Sequence, residues 1–176
     1  MDEQSLIAGC IKGNQIAQKT LFERFSPKFF ALCLRYMKST DDAEDVLQEG
    51  MVKIFTKLPE YSGTGSFEGW MRRIIVNTCL DQIRKNQKLK FDVSIDKEEY
   101  KLSMNAHILE NMSANELIEE IKKMPPGYRV VFNMFAIEGY SHQEIAQKLG
   151  VKESTSKSQY LRARAYLKER INKIND

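Results

Sequence analysis

Three groups of side chains in this 176-residue chain have the types and spacing to do chemistry. The first is Lys157, Ser158, Leu161, Arg162 and Arg164, which a helical pattern leaves on the faces away from its apolar stripe. A helix this rich in positive charge behind a glycine turn suits contact with DNA, a solvated charged face being the plainer alternative. The second is Phe67, Trp70, Arg72, Arg73, Asn77, Arg84 and Lys85 in SFEGWMRRIIVNTCLDQIRK, which follows a glycine-rich stretch containing Tyr61. Aromatic rings interleaved with cations suit unpaired DNA, because bases stack on the rings while Lys and Arg follow the backbone. Phe67 and Trp70 have a plainer alternative as core residues of a long amphipathic helix. The third group is Asp41, Asp42, Glu44, Asp45 and Glu49. Such carboxylates can hold a metal for phosphoryl transfer, but at a helix start they are more often a surface favoured by the helix dipole, and no His or Lys is placed to complete a site.

The cysteines add no chemistry of their own. Cys10, Cys33 and Cys79 are odd in number and form no CxxC pair, with only His107 and His142 available to join them. Free, mostly buried thiols are the expectation, with no metal and no cofactor.

These groups need elements to position them. Strand signals are scarce and apolar residues recur at three-and-four spacing, which predicts an all-α protein. A first helix is expected near Gln4–Lys12, broken at Gly13-Asn14, with Asn14 capping a second. Leu21, Phe22, Phe25, Phe29, Leu32 and Tyr36 form the inward stripe of that second helix, which Pro27 is expected to bend or restart after Ser26. Thr40 with Asp41 and Asp42 opens a third helix reaching about Lys57, its inner face being Val46, Met51, Ile54 and Phe55. The stretch PEYSGTGS, residues 59–66, reads as a loop whose Ser66 can cap a fourth helix over about 67–88, roughly 33 Å long.

Beyond Lys90 the pattern fails, and residues 91–112 read as an acidic linker. Helical spacing resumes at Ser113 with Leu117, Ile118 and Ile121, breaks at Pro125-Pro126-Gly127, and restarts through Val130, Val131, Met134 and Phe135. The organisation is therefore two small helical domains, 1–90 and 113–176, joined by the linker. In the second, Ser141 and Glu144 have capping-box spacing, Ile145, Ala146 and Leu149 form an inner face, and Gly150 supplies a left-handed turn. The next helix begins near Glu153 and its apolar stripe runs Tyr160, Ala163, Leu167 and Ile171, which leaves Lys157, Ser158, Leu161, Arg162 and Arg164 on its other faces. Two short helices around a glycine turn, the second rich in cations, suit a helix-turn-helix.

Charge follows the same division. Residues 151–174 hold seven Lys or Arg against Glu153 and Glu169, and residues 70–90 hold six against Asp81. Residues 92–120 hold eight acids and two lysines. Two basic segments separated by an acidic one imply two contact surfaces. No apolar run approaches the roughly 20 residues of a membrane span and no signal peptide opens the chain, so a reducing cytoplasm and no membrane insertion are expected.

Across nearly its whole length the chain resembles a bacterial RNA polymerase sigma factor of the sigma-70 family, extracytoplasmic-function or group 4 type. DAEDVLQEGMVKIFTKL resembles that family's polymerase-binding helix, and SFEGWMRRIIVNTCLDQIRK its promoter-melting and −10 recognition helix. PPGYRVVFNMFAIEGYSHQEIAQKLGVKESTSKSQYLRARAYLKE resembles its −35-binding domain. The resemblance implies a non-enzymatic initiation factor that works with core RNA polymerase on promoter DNA, duplex at −35 and single-stranded at −10. It implies that Asp45, Gln48 and Glu49 face the polymerase, and that the loop from Tyr61 to Phe67 captures a flipped base with Asn77 reading nearby. It also implies that Lys157, Ser158, Leu161 and Arg162 meet the −35 element, and that an anti-sigma factor acts as a restraining partner. A free-standing helix-turn-helix regulator is the other reading, but it leaves the acidic helix and the aromatic loop without a role.

Three positions depart from the family pattern. Ser156 stands where a small apolar residue is usual, Lys152 where a capping residue is usual, and Gln159 where Arg is frequent. Ser156 lies in line with the inward stripe that ends at Tyr160, and a buried hydroxyl there can bond back to its own helix but weakens packing.

Overall fold

The computed structural model describes residues 1–86 and 113–175. The expected linker, the end of the expected fourth helix at Lys88, and Lys90 between them lie outside the described residues. Among the described residues every regular element is helical. The chain divides into two compact units, Met1–Lys88 and Leu89–Asp176.

In the first unit, α1 spans Glu3–Ile11 and is capped by Asp2, whose carboxylate accepts from the Ser5 N–H at 2.8 Å. Gly13 at φ +73° turns the chain, and Asn14 caps α2 (Gln15–Tyr36) by accepting from the N–H groups of Ile16 and Ala17. The helix runs through Pro27 without a break. Proline inside a helix costs about 3 kcal/mol. Each fully buried large side chain returns about 1.5–3 kcal/mol, and Phe25, Phe29, Leu32 and Tyr36 are all buried along one uninterrupted stripe, so continuity wins. Phe22, expected inward, is instead 41 % exposed. It stands one residue, about 100°, off the line of Leu21 and Phe25, and with Ser26, Pro27, Phe30, Glu44 and Leu47 it lines a shallow apolar depression.

Helix α3 (Thr40–Lys57) starts on Ser39 and buries Ala43, Val46, Leu47, Gly50, Met51 and Ile54, while Phe55 is only half-buried. A 3-10 turn at Leu58–Glu60 leads into the loop, and α4 (Phe67–Asn86) begins where the Ser66 hydroxyl accepts from the Gly69 N–H at 3.1 Å. Helices α2, α3 and α4 pack on one another around Leu21, Phe29, Leu32, Ile54, Met71 and Ile75. The Cys33 and Cys79 sulfurs meet in this core at 3.9 Å, as small apolar groups of α2 and α4.

In the second unit, Ser113 and Glu116 form a capping box at the head of α5 (Ala114–Lys123). Helix α6 (Pro126–Phe132) follows the proline break and widens into a π turn over Asn133–Ile137, where a regular helix was expected. Its wider ladder shows in the Glu138 N–H bonding the Asn133 carbonyl, and Gly139 at φ +78° ends it. Helix α7 (His142–Leu149) carries the capping box of Ser141 and Glu144, Gly150 closes it at φ +67°, and α8 runs Glu153–Asn175. Ile121, Met124, Phe132, Ala163, Leu167 and Ile171 form the core, flanked by Leu117, Tyr128, Tyr160 and Tyr166. The Tyr166 hydroxyl donates to the Lys123 carbonyl, and the buried Arg129 donates to that of Lys122. Burial pushes the Arg129 guanidinium below its ordinary value.

Candidate functional site

Helix α8 presents the first group of candidate residues. Ala163, Leu167 and Ile171 turn inward as the spacing requires, and Tyr160 is half-buried. Lys157 and Leu161 are exposed, the latter at 43 %, with Ser158 and Arg162 half-buried between them. These positions lie within about five residues of one another at i, i+1, i+4 and i+5, so they share one face. An apolar Leu161 held out in water among cations has no packing reason and is suited to a methyl in a groove. Lys157 is paired with Glu153 one turn earlier at 2.8 Å, and that hydrogen bond holds the Glu153 carboxyl below the usual range. Ser158 is turned to its own helix, donating to the Thr155 carbonyl at 3.0 Å.

Ser156 and Gln159 are both buried. Rather than bonding back to its own helix, the Ser156 hydroxyl lies 2.9 Å from Nδ1 of His142, the first residue of α7. The burial of Ser156 agrees with its place in line with the inward stripe. The π turn brings Phe135 onto the flat face of the same imidazole, with centroids 4.1 Å apart and planes 10° from parallel. Burial, then Lys157, holds the imidazole below its ordinary value, with Glu153 opposing. From the sequence His142 is a candidate only for joining the cysteines in a metal site, and spacing gives no signal of its pairing with Ser156 across the turn.

The second group surrounds the loop of the first unit. Gly63 and Gly65 take φ +75° and +78°, which lets the segment fold back so that the Tyr61 hydroxyl donates to the Gly65 carbonyl at 3.1 Å. Tyr61, Phe67 and Trp70 form an aromatic triangle, with Tyr61 5.2 Å from each of the other rings and Phe67 stacked 5.9 Å from Trp70. Phe67 is 1 % exposed and meets Phe25 of α2 edge-on at 6.0 Å. Its ring is therefore a core anchor with no face left for a base, whereas Tyr61 and Trp70 remain half-exposed.

Along α4, Trp70, Arg73, Asn77 and Arg84 follow at intervals of three, four and seven and so line one face, with Lys85 at its edge. Arg73, Asn77, Arg84 and Lys85 are exposed. Arg72 departs from this face: it reaches back to Glu68 at 3.8 Å, and Glu68 is also held by Lys28 of α2 at 2.9 Å. Arg84 is paired with Asp81 at 3.3 Å.

The acidic group occupies α3. Asp41, Asp45 and Gln48 are exposed at spacings of four and three, and Val52, four further on, continues the row at 64 % exposure. Val52 was not among the sequence candidates, because one exposed apolar residue gives no periodic signal. Glu49 is half-buried and bound to Lys53 at 2.7 Å, and this hydrogen bond is the main cause of its lowered pKa. Lys53, left out of the sequence reading of this cluster, also approaches Asp81 of α4 at 3.7 Å. A lysine salt bridge within the cluster suits a surface patch better than a cation site.

An all-helical chain of two units, with an exposed aromatic and basic face in one and a basic helix-turn-helix in the other, is a DNA-binding protein by architecture. Residues 21–89 match the family model for Sigma-70 region 2, and residues 114–167 that for Sigma-70, region 4. Together these span well over half of the sequence, and the chain belongs to the sigma-70 family, among the ECF sigma factors. It is 28 % identical to the ECF RNA polymerase sigma factor SigM of Mycobacterium tuberculosis, over 98 % of this chain and 86 % of that protein. It is also 28 % identical to SigE of Mycolicibacterium smegmatis, covering 92 % of this chain and 65 % of that longer protein. Against SigW of Bacillus subtilis the identity is 26 %, over 91 % of each.

Two solved structures share the fold. CnrH, in complex with the cytosolic domain of CnrY, gives a TM-score of 0.54 at 24 % identity over 97 % of both chains. RpoE of Bartonella quintana, in complex with the anti-sigma factor NepR, gives 0.56 at 20 % identity over 90 % of this chain and 98 % of that one. Among the described residues no helix is long and apolar enough to cross a membrane.

Proposed function

We propose that this chain is a non-enzymatic transcription initiation factor that binds core RNA polymerase and directs it to specific promoters. The observation that carries this reading is the presence, in one chain and in order, of the two family regions, each with an exposed face of the chemistry its role needs. The unit containing residues 1–86 takes polymerase binding, −10 recognition and strand opening. The unit from residue 113 takes −35 recognition.

Asp45 and Gln48 meet the polymerase, and their open carboxylate and amide suit a basic partner. Glu49 contributes with its charge already shared with Lys53. Tyr61 and Trp70 supply ring faces for a base leaving the duplex, Asn77 reads beside them, and Arg73, Arg84 and Lys85 follow the backbone. Phe67 acts from beneath by fixing both rings, and Arg72 by bracing the start of α4. Lys157, Ser158, Leu161 and Arg162 enter the major groove at −35.

Magnitudes explain the dependence on polymerase. Separating duplex costs about 1.4 kcal/mol per step and stacking a base on an aromatic returns about 1–3 kcal/mol. Two ring faces therefore nucleate opening over one or two bases and cannot hold a bubble of about ten. Core enzyme supplies the rest, which places the factor in the cytoplasm with it. The neighbours CnrH and RpoE were solved with CnrY and NepR; by analogy an anti-sigma protein restrains this chain by covering its polymerase-facing surfaces.

The test is transcription of a promoter library by core polymerase with and without the purified chain, followed by sequencing of the transcripts. Specific starts that depend on the chain are expected. Sequence-specific duplex binding by the chain alone, with no effect on transcription, would identify a free-standing helix-turn-helix regulator instead.

A further inference from the structure

The helix-turn-helix holds a polar joint that the reading frame of basic residues does not explain. Ser156 is fully buried in the first turns of α8, directly before Lys157 and Ser158, and its hydroxyl meets Nδ1 of His142 at 2.9 Å. His142 is fixed in turn from the π turn by the parallel ring of Phe135, and Tyr160 of α8 closes on it at 5.8 Å. One imidazole at the head of α7 thus ties that helix to two others, the π turn and α8.

Apolar packing between two helices is non-directional and tolerates small rotations. A hydrogen bond is directional, and weakens steeply once its angle is lost. A rotation of α8 by about 10° moves a group at its 5–6 Å outer radius by about 1 Å, enough to spoil a paired contact to a base edge. The geometry points to His142 as a positioning residue for −35 recognition: through Ser156 it sets the rotation of α8 and so the register in which Lys157, Ser158, Leu161 and Arg162 face the groove. The inference rests on the −35 role proposed above. It also gives a reason for a hydroxyl at a buried position where packing alone favours an apolar group.

The test uses holoenzyme assembled with full-length chain, at fixed salt, on a promoter recovered from the library and on the same promoter with its upstream element scrambled. The readout is the ratio of the two affinities. His142→Phe keeps a ring to stack on Phe135 and removes the bond; Ser156→Ala removes it from the other side without altering α7. Each is expected to lower the ratio about 3- to 10-fold through loss on the intact promoter alone, the range of one net hydrogen bond. The scrambled promoter should bind within twofold of wild type and the salt slope should stay the same, because the cations remain. The double variant should do no worse than the weaker single, since both remove one interaction.

An unchanged ratio, equal loss on both promoters, or single effects that multiply in the double would overturn the inference. If His142→Phe does not fold, as judged by its helical melting curve, Ser156→Ala decides alone by the same ratio. A wild-type holoenzyme that fails to distinguish the promoters refutes the −35 role itself, which is a separate result.

Discussion

A Cβ placed on Gly50 would lie 2.5 Å from Cδ1 of Ile75, so α3 and α4 approach through a glycine at a spacing that no other residue permits without movement. This close contact sets the acidic row of α3 beside α4, the helix proposed to face DNA. Gly50→Ala gains helix propensity of about 1 kcal/mol but overpacks a fully buried isoleucine, which costs about 1–3 kcal/mol. The net expectation is a loss of about 1 kcal/mol in denaturant melts. Ile75→Val, which removes the offending methyl, should cost about 0.5–1.5 kcal/mol alone. Combined with Gly50→Ala it should cost clearly less than the sum, whereas strict additivity would show that the two sites do not collide.

The stability of the second unit should depend on pH through His142. Burial and Lys157 hold this imidazole below its ordinary value in the folded state. The unfolded chain therefore binds the proton more readily, and the stabilisation is complete above an unfolded pKa of about 6.5 and lost as pH falls below it. Wild-type protein should melt lower at pH 5.5 than at pH 7.5, and His142→Phe should lose most of that difference. The carboxylates lowered by hydrogen bonds, Glu116, Glu119, Glu153 and Glu169, act in a separate acid window. Their contribution fades only as pH falls through and below about 4.3.

What the sequence disclosed about this fold was what is local. Asn14, Ser66, the Ser141–Glu144 box and Gly150 mark helix ends through bonds within a few residues, and each sits at a boundary. What depends on a distant partner was hidden. Pro27 looks like a break until the burial on either side of it is known, and Phe22 looks inward until α2 has neighbours. Phe67 shows the same limit at the candidate site. An aromatic at the foot of a glycine loop has the same composition signal whether it faces a base or Phe25, and only packing decides. Ser156 and His142 stand fourteen residues apart with no shared periodicity, so their bond is invisible before the helices pack.

Phe67 and Trp70 should separate structure from opening. Phe67→Ala removes a fully buried ring and should destabilise the first unit by about 3–5 kcal/mol. Trp70→Ala, at a half-exposed ring, should leave most of that stability and reduce open-complex formation, by about 1–3 kcal/mol if one base stack is lost. Permanganate reactivity of unpaired thymines, read beside thermal melts, distinguishes them. A Trp70 variant that melts promoters normally would remove this ring from the proposed opening step.

Charge reversal on α3 should weaken polymerase binding unequally. Asp45 is exposed, whereas Glu49 is held by Lys53. Asp45→Lys should therefore reduce affinity for core polymerase most at low salt, chiefly through the association rate. Glu49→Lys, the matching reversal, should have the smaller effect on binding, because the charge it replaces is already partly compensated by Lys53. Association rates measured across a salt series check the order. Equal effects would mean that the Lys53 pair opens when polymerase binds.

Arg162 and Lys157 lie on one face of α8 but are expected to play different parts. Lys157 is a flexible point charge already paired with Glu153, suited to a phosphate, while Arg162 is half-buried with a planar fork that matches guanine acceptors. Arg162→Ala should cost about 1–3 kcal/mol on the intact upstream element and relax preference at one base position. Lys157→Ala should weaken binding evenly across sequences and lower the salt slope by about 1. Holoenzyme affinities on intact and scrambled upstream DNA, each at several salt concentrations, separate the two. Equal loss on both DNAs for Arg162→Ala would assign that residue to the backbone, leaving Leu161 and Ser158 as the base-reading pair.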